Sequence, residues 1–515
     1  HTQRRKRCRK RPTPRGLAPH PISSVGHHTN RTDSHSPAAA PPPPPAPRPP
    51  SVHPSWSPVK ATVFCIIELT QGRLPRSKLV YVRSLFIAGD KMKMAGSVVL
   101  LISLLSAIAP LPSEALNVRG HLLKSKTFRS PPILLGPGSV SNKYHHDVDF
   151  PRGHLAVKSF DAEVVDENGV PVPLHETYLH HWVAEPYYAL KNSQSPDTQN
   201  LPKGMLKRND GVCKTTLGQY FGLGSETRHT ATWVPDPYGI EIGNEDKAPE
   251  GYEEKWLLNI HAIDTRGVVD KPSCTECKCD FYNVTIDEYG RTISKNYTGG
   301  LFCCYDQTQC RVKEGFNGEV RKLFLQYTVT WLDWTDAVVP VKIYIFDVTD
   351  TAMLDGTPEH SCKVEYQVEE CSAENRANNE CIHTKTARAA LPRGGDIVFS
   401  VAHQHSGGVG ASLHGQDGRL LCESLPTYGT GKEAGNEANY IVGMSTCYPK
   451  PGSIKVSDGE VLTIVSNYSS VRQHTGVMGL VYILVAEPQE PAPAPSLCFS
   501  FPVPWCLPAW MSSNM

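Results

Sequence analysis

Between residues 116 and 487, apolar and polar positions alternate in short runs. AVKSFDAEVV (156–165), KWLLNIHAI (255–263), LFLQYTVTW (323–331), VKIYIFDV (341–348), DIVFSVAHQH (396–405), EVLTIVSNY (460–468) and GLVYILVA (479–486) are rich in β-branched and aromatic residues. A period of two turns one face of a strand to a core and the other to water. Gly, Pro, Asn and Asp between the runs supply turns. Helical periodicity is weak throughout. The pattern predicts an all-β protein, and about 370 residues exceed what one sandwich holds. The expectation is two antiparallel, jelly-roll-like β-sandwich domains in tandem, at 116–272 and 317–487, with a disulfide-rich insertion at 273–316.

The flanks differ in composition. Residues 1–91 hold 16 Lys+Arg against 3 Asp+Glu, whereas the whole chain of 515 residues is only +1. RRKRCRKR (4–11) and AAAPPPPPAPRPP (38–50) are basic and Pro-rich, a composition that builds no core. This extension reads as a gene-model artefact rather than as a nucleic-acid-binding arm, and no nucleic-acid partner is expected. Residues 92–115, MKMAGSVVLLISLLSAIAPLPSEA, follow the charged, apolar, small-residue order of a signal peptide. The apolar run from Val98 to Ala109 is shorter than the ~20 residues that span a bilayer. Met92 or Met94 is the expected start, with cleavage near Ala115. Once the signal is removed no transmembrane segment is expected. The mature product would then be extracellular (apoplast) or in the secretory-pathway lumen. The tail, 488–515, is Pro-rich and irregular.

Twelve cysteines lie between 116 and 487, an even number that suits disulfides in a secreted chain. Six of them crowd into 274–310. CTECKC there has zinc-like spacing, but the two sequons in the same stretch favour disulfides. Connectivity stays open. Asn283, Asn296 and Asn467 head sequons and are the expected glycosylation sites.

The candidate chemistry is in the histidines. His403 and His405, in VAHQHSGG, are two apart at a strand end, so their rings project to one face. His180 and His181, in YLHHWVAE, are adjacent and share a face only if a bulge intervenes. His261 sits on an apolar strand and Met478 on another; alone, each reads as core. Taken together the set is His–His, His, His-x-His, then Met. Imidazoles joined by a thioether suit copper, particularly in its reduced state.

That order resembles the ascorbate-dependent copper type II monooxygenases, which include peptidylglycine α-hydroxylating monooxygenase and dopamine β-monooxygenase. FGLGSETRHT before EKWLLNIHAID, SVAHQHSGG, and CYPKPGSIKVSDGEVLTIVSNY carry the resemblance over roughly 150–270 and 390–487. It implies two copper ions, one per sandwich, across a solvent cleft, with ascorbate as reductant. His180, His181 and His261 match the electron-transfer copper ligands. His403, His405 and Met478 match the site where O₂ and substrate react. Tyr482 matches one substrate-carboxylate contact. The other two contacts, an Arg and an Asn in the peptide hydroxylase, are Val401 and Leu480 here, so a C-terminal glycine peptide is not the expected substrate.

The whole stretch from about 110 to 487 also resembles the plant stress up-regulated nodulin family of the Nod nineteen type. LHHWVAEPYY, CTECKCDFYN and HQHSGG carry that resemblance.

The functional expectation is a secreted, stress-related plant glycoprotein acting as a copper-dependent, ascorbate-reduced monooxygenase on a small molecule or peptide. The alternative is a catalytically silent two-sandwich binding glycoprotein. A zinc hydrolase fits less well, because the nearest carboxylates in sequence, Glu176 and Glu185, read as surface residues. The identity of the substrate and the oligomeric state are left open.

Overall fold

The computed structural model describes residues 122–191, 206–207, 212–213, 217–357 and 359–488, with a short backbone pairing of Cys498–Phe499 with Trp505–Cys506. The basic extension, the signal peptide and most of the Pro-rich tail lie outside the described residues. No helix among the described residues is long and apolar enough to cross a membrane.

The first half contributes β1 (Lys124–Arg129), β2 (Ile133–Leu135), β3 (Val140–His145), β4 (Leu155–Val165), β5 (Thr177–Leu190), β6 (Phe221–Leu223), β7 (Tyr238–Ile242) and β8 (Tyr252–Asp264). The second half begins with β9 (Arg321–Asp333), β10 (Val339–Asp347), β11 (Glu365–Val368), β12 (Ile382–Ala390) and β13 (Gly395–Gln404). It continues with β14 (Gly408–His414), β15 (Leu420–Ser424), β16 (Pro426–Tyr428), β17 (Ile441–Met444), β18 (Lys455–Val456), β19 (Val461–Ser469) and β20 (His474–Ala486). Each of the seven alternating runs of the sequence falls on a strand. In β9 the period is plain: Leu323, Leu325, Tyr327 and Val329 are buried, and the residues between them are not.

Two cores result. In the first, the segment β1-β9-β4-β7 shares its apolar side chains with the four-stranded sheet β3-β8-β5-β6. Phe160 of β4 is central to it, stacked at 4.8 Å on Trp182 of β5 and at 5.6 Å on Tyr327 of β9. In the second, β10-β20-β13-β18 shares its core with the sheet β12-β19-β14-β15. The two segments named first are one continuous sheet, joined where β7 pairs with β10 in parallel. β9 follows the Cys-rich insertion in sequence, yet it pairs with β1 and β4 of the first half. The sheet therefore crosses the sequence boundary at 317.

Six disulfides are formed among the described residues. Cys274–Cys310, Cys277–Cys304 and Cys279–Cys303 close the insertion on itself, which is the disulfide reading of CTECKC. Cys371–Cys381 and Cys422–Cys447 are local, whereas Cys213–Cys362 ties the first half to the second. The insertion is also tied to the second half. Both carboxylate oxygens of Glu365 in β11 accept from the Leu301 backbone N–H, and one also accepts from the Tyr297 hydroxyl. Asn283 and Asn296 are exposed, and Asn467 is half-buried.

Candidate metal centre

β5 carries a bulge between Leu179 and His181, and His180 is the extra residue. A regular strand would send adjacent side chains to opposite faces; a bulge re-aims one of them. His181 then pairs directly with His261 of β8. Ring centroids are 5.5 Å apart for His180 and His181, 4.4 Å for His180 and His261, and 5.1 Å for His181 and His261. One nitrogen from each ring lies within 4.8 Å of the others, close enough to converge on one ion.

On β13, His403 and His405 project to one side with centroids 5.2 Å apart. Their position relative to the first group differs from what the resemblance implies. His405 lies 4.4 Å from His180, ring centroid to ring centroid. The five imidazoles form a single continuous cluster of ring contacts, His405 joining the second pair to His180 of the first trio. His180, His261, His403 and His405 are all buried.

Most ring nitrogens of the cluster lack hydrogen-bond partners. Both ring nitrogens of His180 and of His261, Nδ1 of His181, and Nε2 of His403 and His405 are buried without one. An unsatisfied buried polar atom costs ~1–3 kcal/mol, so seven would consume a typical domain's entire stability. Such a set is what a bound metal ion would satisfy.

The remaining nitrogens are held so as to present the free ones. Glu226 Oε1 accepts from His403 Nδ1 at 2.6 Å, which leaves the His403 Nε2 lone pair available. Asn259 Oδ1 lies 2.8 Å from His181 Nε2. The Asn259 amide donates its own N–H groups to Asn142 Oδ1 and the Lys143 carbonyl, so its oxygen must face the ring. His181 Nε2 is then the donor and Nδ1 the free ligand atom. The backbone N–H of His405 donates to the Tyr468 hydroxyl, which donates to the Met478 carbonyl at 2.6 Å. That buried hydroxyl links the HQH strand end to the methionine strand.

Burial pushes every one of these shifted imidazoles toward the neutral form. His181 falls to about 4, chiefly by desolvation, with the Asn259 bond opposing and His403 adding. His180, His261 and His405 fall well below the ordinary value, first by desolvation and then through neighbouring imidazoles. The Cys304 backbone beside the ring opposes the shift at His261. Neutral imidazole is the metal-binding form.

A cavity of about 170 Å³ opens beside the cluster. His181, His403, Met478, Tyr482, Tyr220 and Glu185 line it, and Leu301 brings the Cys-rich insertion to its wall. Met478, Leu480 and Tyr482 alternate along β20, and His403 pairs with Leu480, so all four share one face. The Tyr482 and Tyr220 hydroxyls are 3.2 Å apart. Among the described residues, no Lys or Arg lines it.

Two carboxylates depart from the sequence reading. Glu185 is 9% exposed and faces the cavity rather than the surface. Glu226 was not singled out, although it lies within FGLGSETRHT. It sits on a 3₁₀ turn, Ser225–His229, locked onto β17 by Ser225 Oγ donating to the Ile441 carbonyl and by Thr230. Gly224 admits it: a Cβ there would lie 2.5 Å from the His180 carbonyl and 2.8 Å from His403 Cε1. Glu176 is a surface residue, paired with Arg321.

The profile of the family described as stress up-regulated Nod 19 matches residues 121–488. No curated protein matches the chain. Solved structures similar to it include the VP2 subviral particle of infectious bursal disease virus, at 9% identity over 76% of this chain and 78% of that one, TM-score 0.15. Others are the Cry4Aa toxin of Bacillus thuringiensis (7% identity, 64% and 58% covered, TM-score 0.15) and the Penaeus vannamei nodavirus (12%, 80% and 100%, 0.13). At these scores they carry no argument about this chain.

Proposed function

The chain belongs to the stress up-regulated Nod 19 family, and from its histidine cluster we propose that it is a secreted copper protein that oxidises a small substrate. The family and the six disulfides fit a secreted stress protein. The specific reading is an ascorbate-reduced monooxygenase. One observation supports a metal site above the rest: seven imidazole nitrogens of one cluster are buried without partners.

His180, His181 and His261 would hold one ion, and His403, His405 and Met478 the other. Copper bound there would supply one-electron redox change and an O₂ site. The overall reaction is R–H + O₂ + 2 electrons + 2 protons → R–OH + H₂O, with ascorbate giving the electrons. The chain's own part is placement. Glu226 keeps the His403 proton on Nδ1, which leaves the Nε2 lone pair free to bind. Met478, Leu480 and Tyr482 supply an apolar wall that excludes water beside it. The described residues of that wall include no Lys or Arg, which favours a neutral or cationic substrate, since an anion buried without a partner is costly.

A second reading has specific support. Val401 and Leu480 replace two carboxylate contacts of the peptide hydroxylase, and the close ring packing differs from an open two-site cleft. A silent metal-binding or ligand-binding glycoprotein fits both facts. Copper per chain in the secreted protein, measured by metal mass spectrometry after copper supply, tests the proposal first. About two ions are expected, and His403→Ala/His405→Ala should lower that number. No copper in folded protein, or an unchanged count in the double variant, ends the copper reading. Ascorbate-dependent O₂ uptake across phenols, amines and peptides then separates turnover from silent binding.

A further inference from the structure

We infer that His180 is a bridging ligand, shared by two metal ions that form one coupled centre. This rests on the reading that the cluster binds metal. It departs from that reading's starting picture of two separate mononuclear sites.

The argument is geometric. The ring centroid of His180 lies 4.4 Å from that of His261 and 4.4 Å from that of His405. It is the only one of the five with ring contacts to members of both groups, the His181–His261 pair and the His403–His405 pair. Both of its nitrogens are buried and unpartnered. His261 also has two unpartnered nitrogens, but its ring contacts are confined to His180 and His181. The β5 bulge at His180 gives the ring its place between the groups. His403 and His181 are each committed by one nitrogen, to Glu226 and Asn259, and can serve one ion only.

The sulfurs beside His180 do not compete. Cys277 and Cys304 come within 4.8 Å of one of its nitrogens, but they are bonded to each other and form a wall. The ion at His181 and His261 would take one nitrogen of His180. The ion at His403 and His405 would take the other. Proton balance is simple: neutral His180 carries one N–H, and binding the second ion releases that proton to solvent. Two metal–nitrogen bonds of about 2.0 Å plus the ring's width hold the ions roughly 6 Å apart. At that range, through a conjugated ring, two copper(II) spins couple.

The test is electron paramagnetic resonance on the full secreted protein loaded with copper(II), with copper counted on the same sample. Two coppers per chain should give an integrated spin below half the copper count at low temperature, together with a half-field transition. In His180→Ala the copper that remains should give a spin count equal to its copper count. Two coppers with full spin and no half-field transition in the unaltered protein overturn the bridge, as does a single copper per chain; both leave the copper reading standing. No copper at all overturns the bridge and the copper reading together. The unaltered protein decides the matter even if His180→Ala fails to fold.

Discussion

Acid should unfold the metal-free protein well before it affects an ordinary secreted sandwich. The perturbation is a pH drop from 7.5 to 5 in the presence of a chelator. His181 titrates near 4 in the folded state and near 6.5 when unfolded. A lowered folded value means that the unfolded chain binds the proton first. Stability is therefore complete above about 6.5 and is lost as pH falls toward 4. At pH 5 the gap in use is roughly 1.5 units, or ~2 kcal/mol from this ring alone. His180, His261 and His405 are shifted further in the same direction by the same burial. Their losses add to it, against a total of ~5–15 kcal/mol. Thermal unfolding followed by circular dichroism should show a midpoint falling by more than about 10 °C between pH 7.5 and 5. With metal bound, the fall should begin at lower pH, because the ion competes with the proton for the same nitrogens. A flat midpoint in chelator would refute the reasoning, since it requires rings that take up protons without leaving the fold.

Glu226→Ala leaves His403 Nδ1 without its acceptor at 2.6 Å; metal affinity in a competition titration should fall by ~10–100-fold, with Glu226→Gln closer to normal. Gly224→Ala drives a methyl to 2.5 Å from the His180 carbonyl and 2.8 Å from the His403 ring; it should cost ~1–3 kcal/mol in denaturant unfolding and weaken metal binding as well. Phe160→Ala empties the centre of the first core, at the contact with Trp182 and Tyr327; a loss of ~3–5 kcal/mol is expected, with metal stoichiometry unchanged where the protein still folds. Met478→Leu nearly preserves volume, so stability should change by less than ~1.5 kcal/mol; copper(I) retention against a chelator should fall if the thioether is a ligand.

The strands were legible in the chain because a period of two is a local property. The alternation in β9 and β19 needs only neighbouring residues to declare a face, and both strands bury alternate positions. The His403–His405 pair was legible for the same reason. The disulfide reading of 274–310 followed from cysteine number and sequons, without any knowledge of partners. For His180 and His181 the sequence stated a condition, a bulge, and only the pairing of β5 with β8 met it.

Other features depended on distant parts of the chain coming together. Glu226 reaches His403 across 177 residues, and Tyr220 reaches Tyr482 across 262; no periodicity links such positions. β9 returns to the first half because its buried face completes the core around Phe160, an outcome set by packing and not by chain order. The merging of five histidines into one cluster is of the same kind. Sequence determined which residues could be ligands and which faces of their strands they occupy. The distance between the two groups depends on how the two halves pack against each other, because His180 meets His405 and Glu226 meets His403 only across that packing.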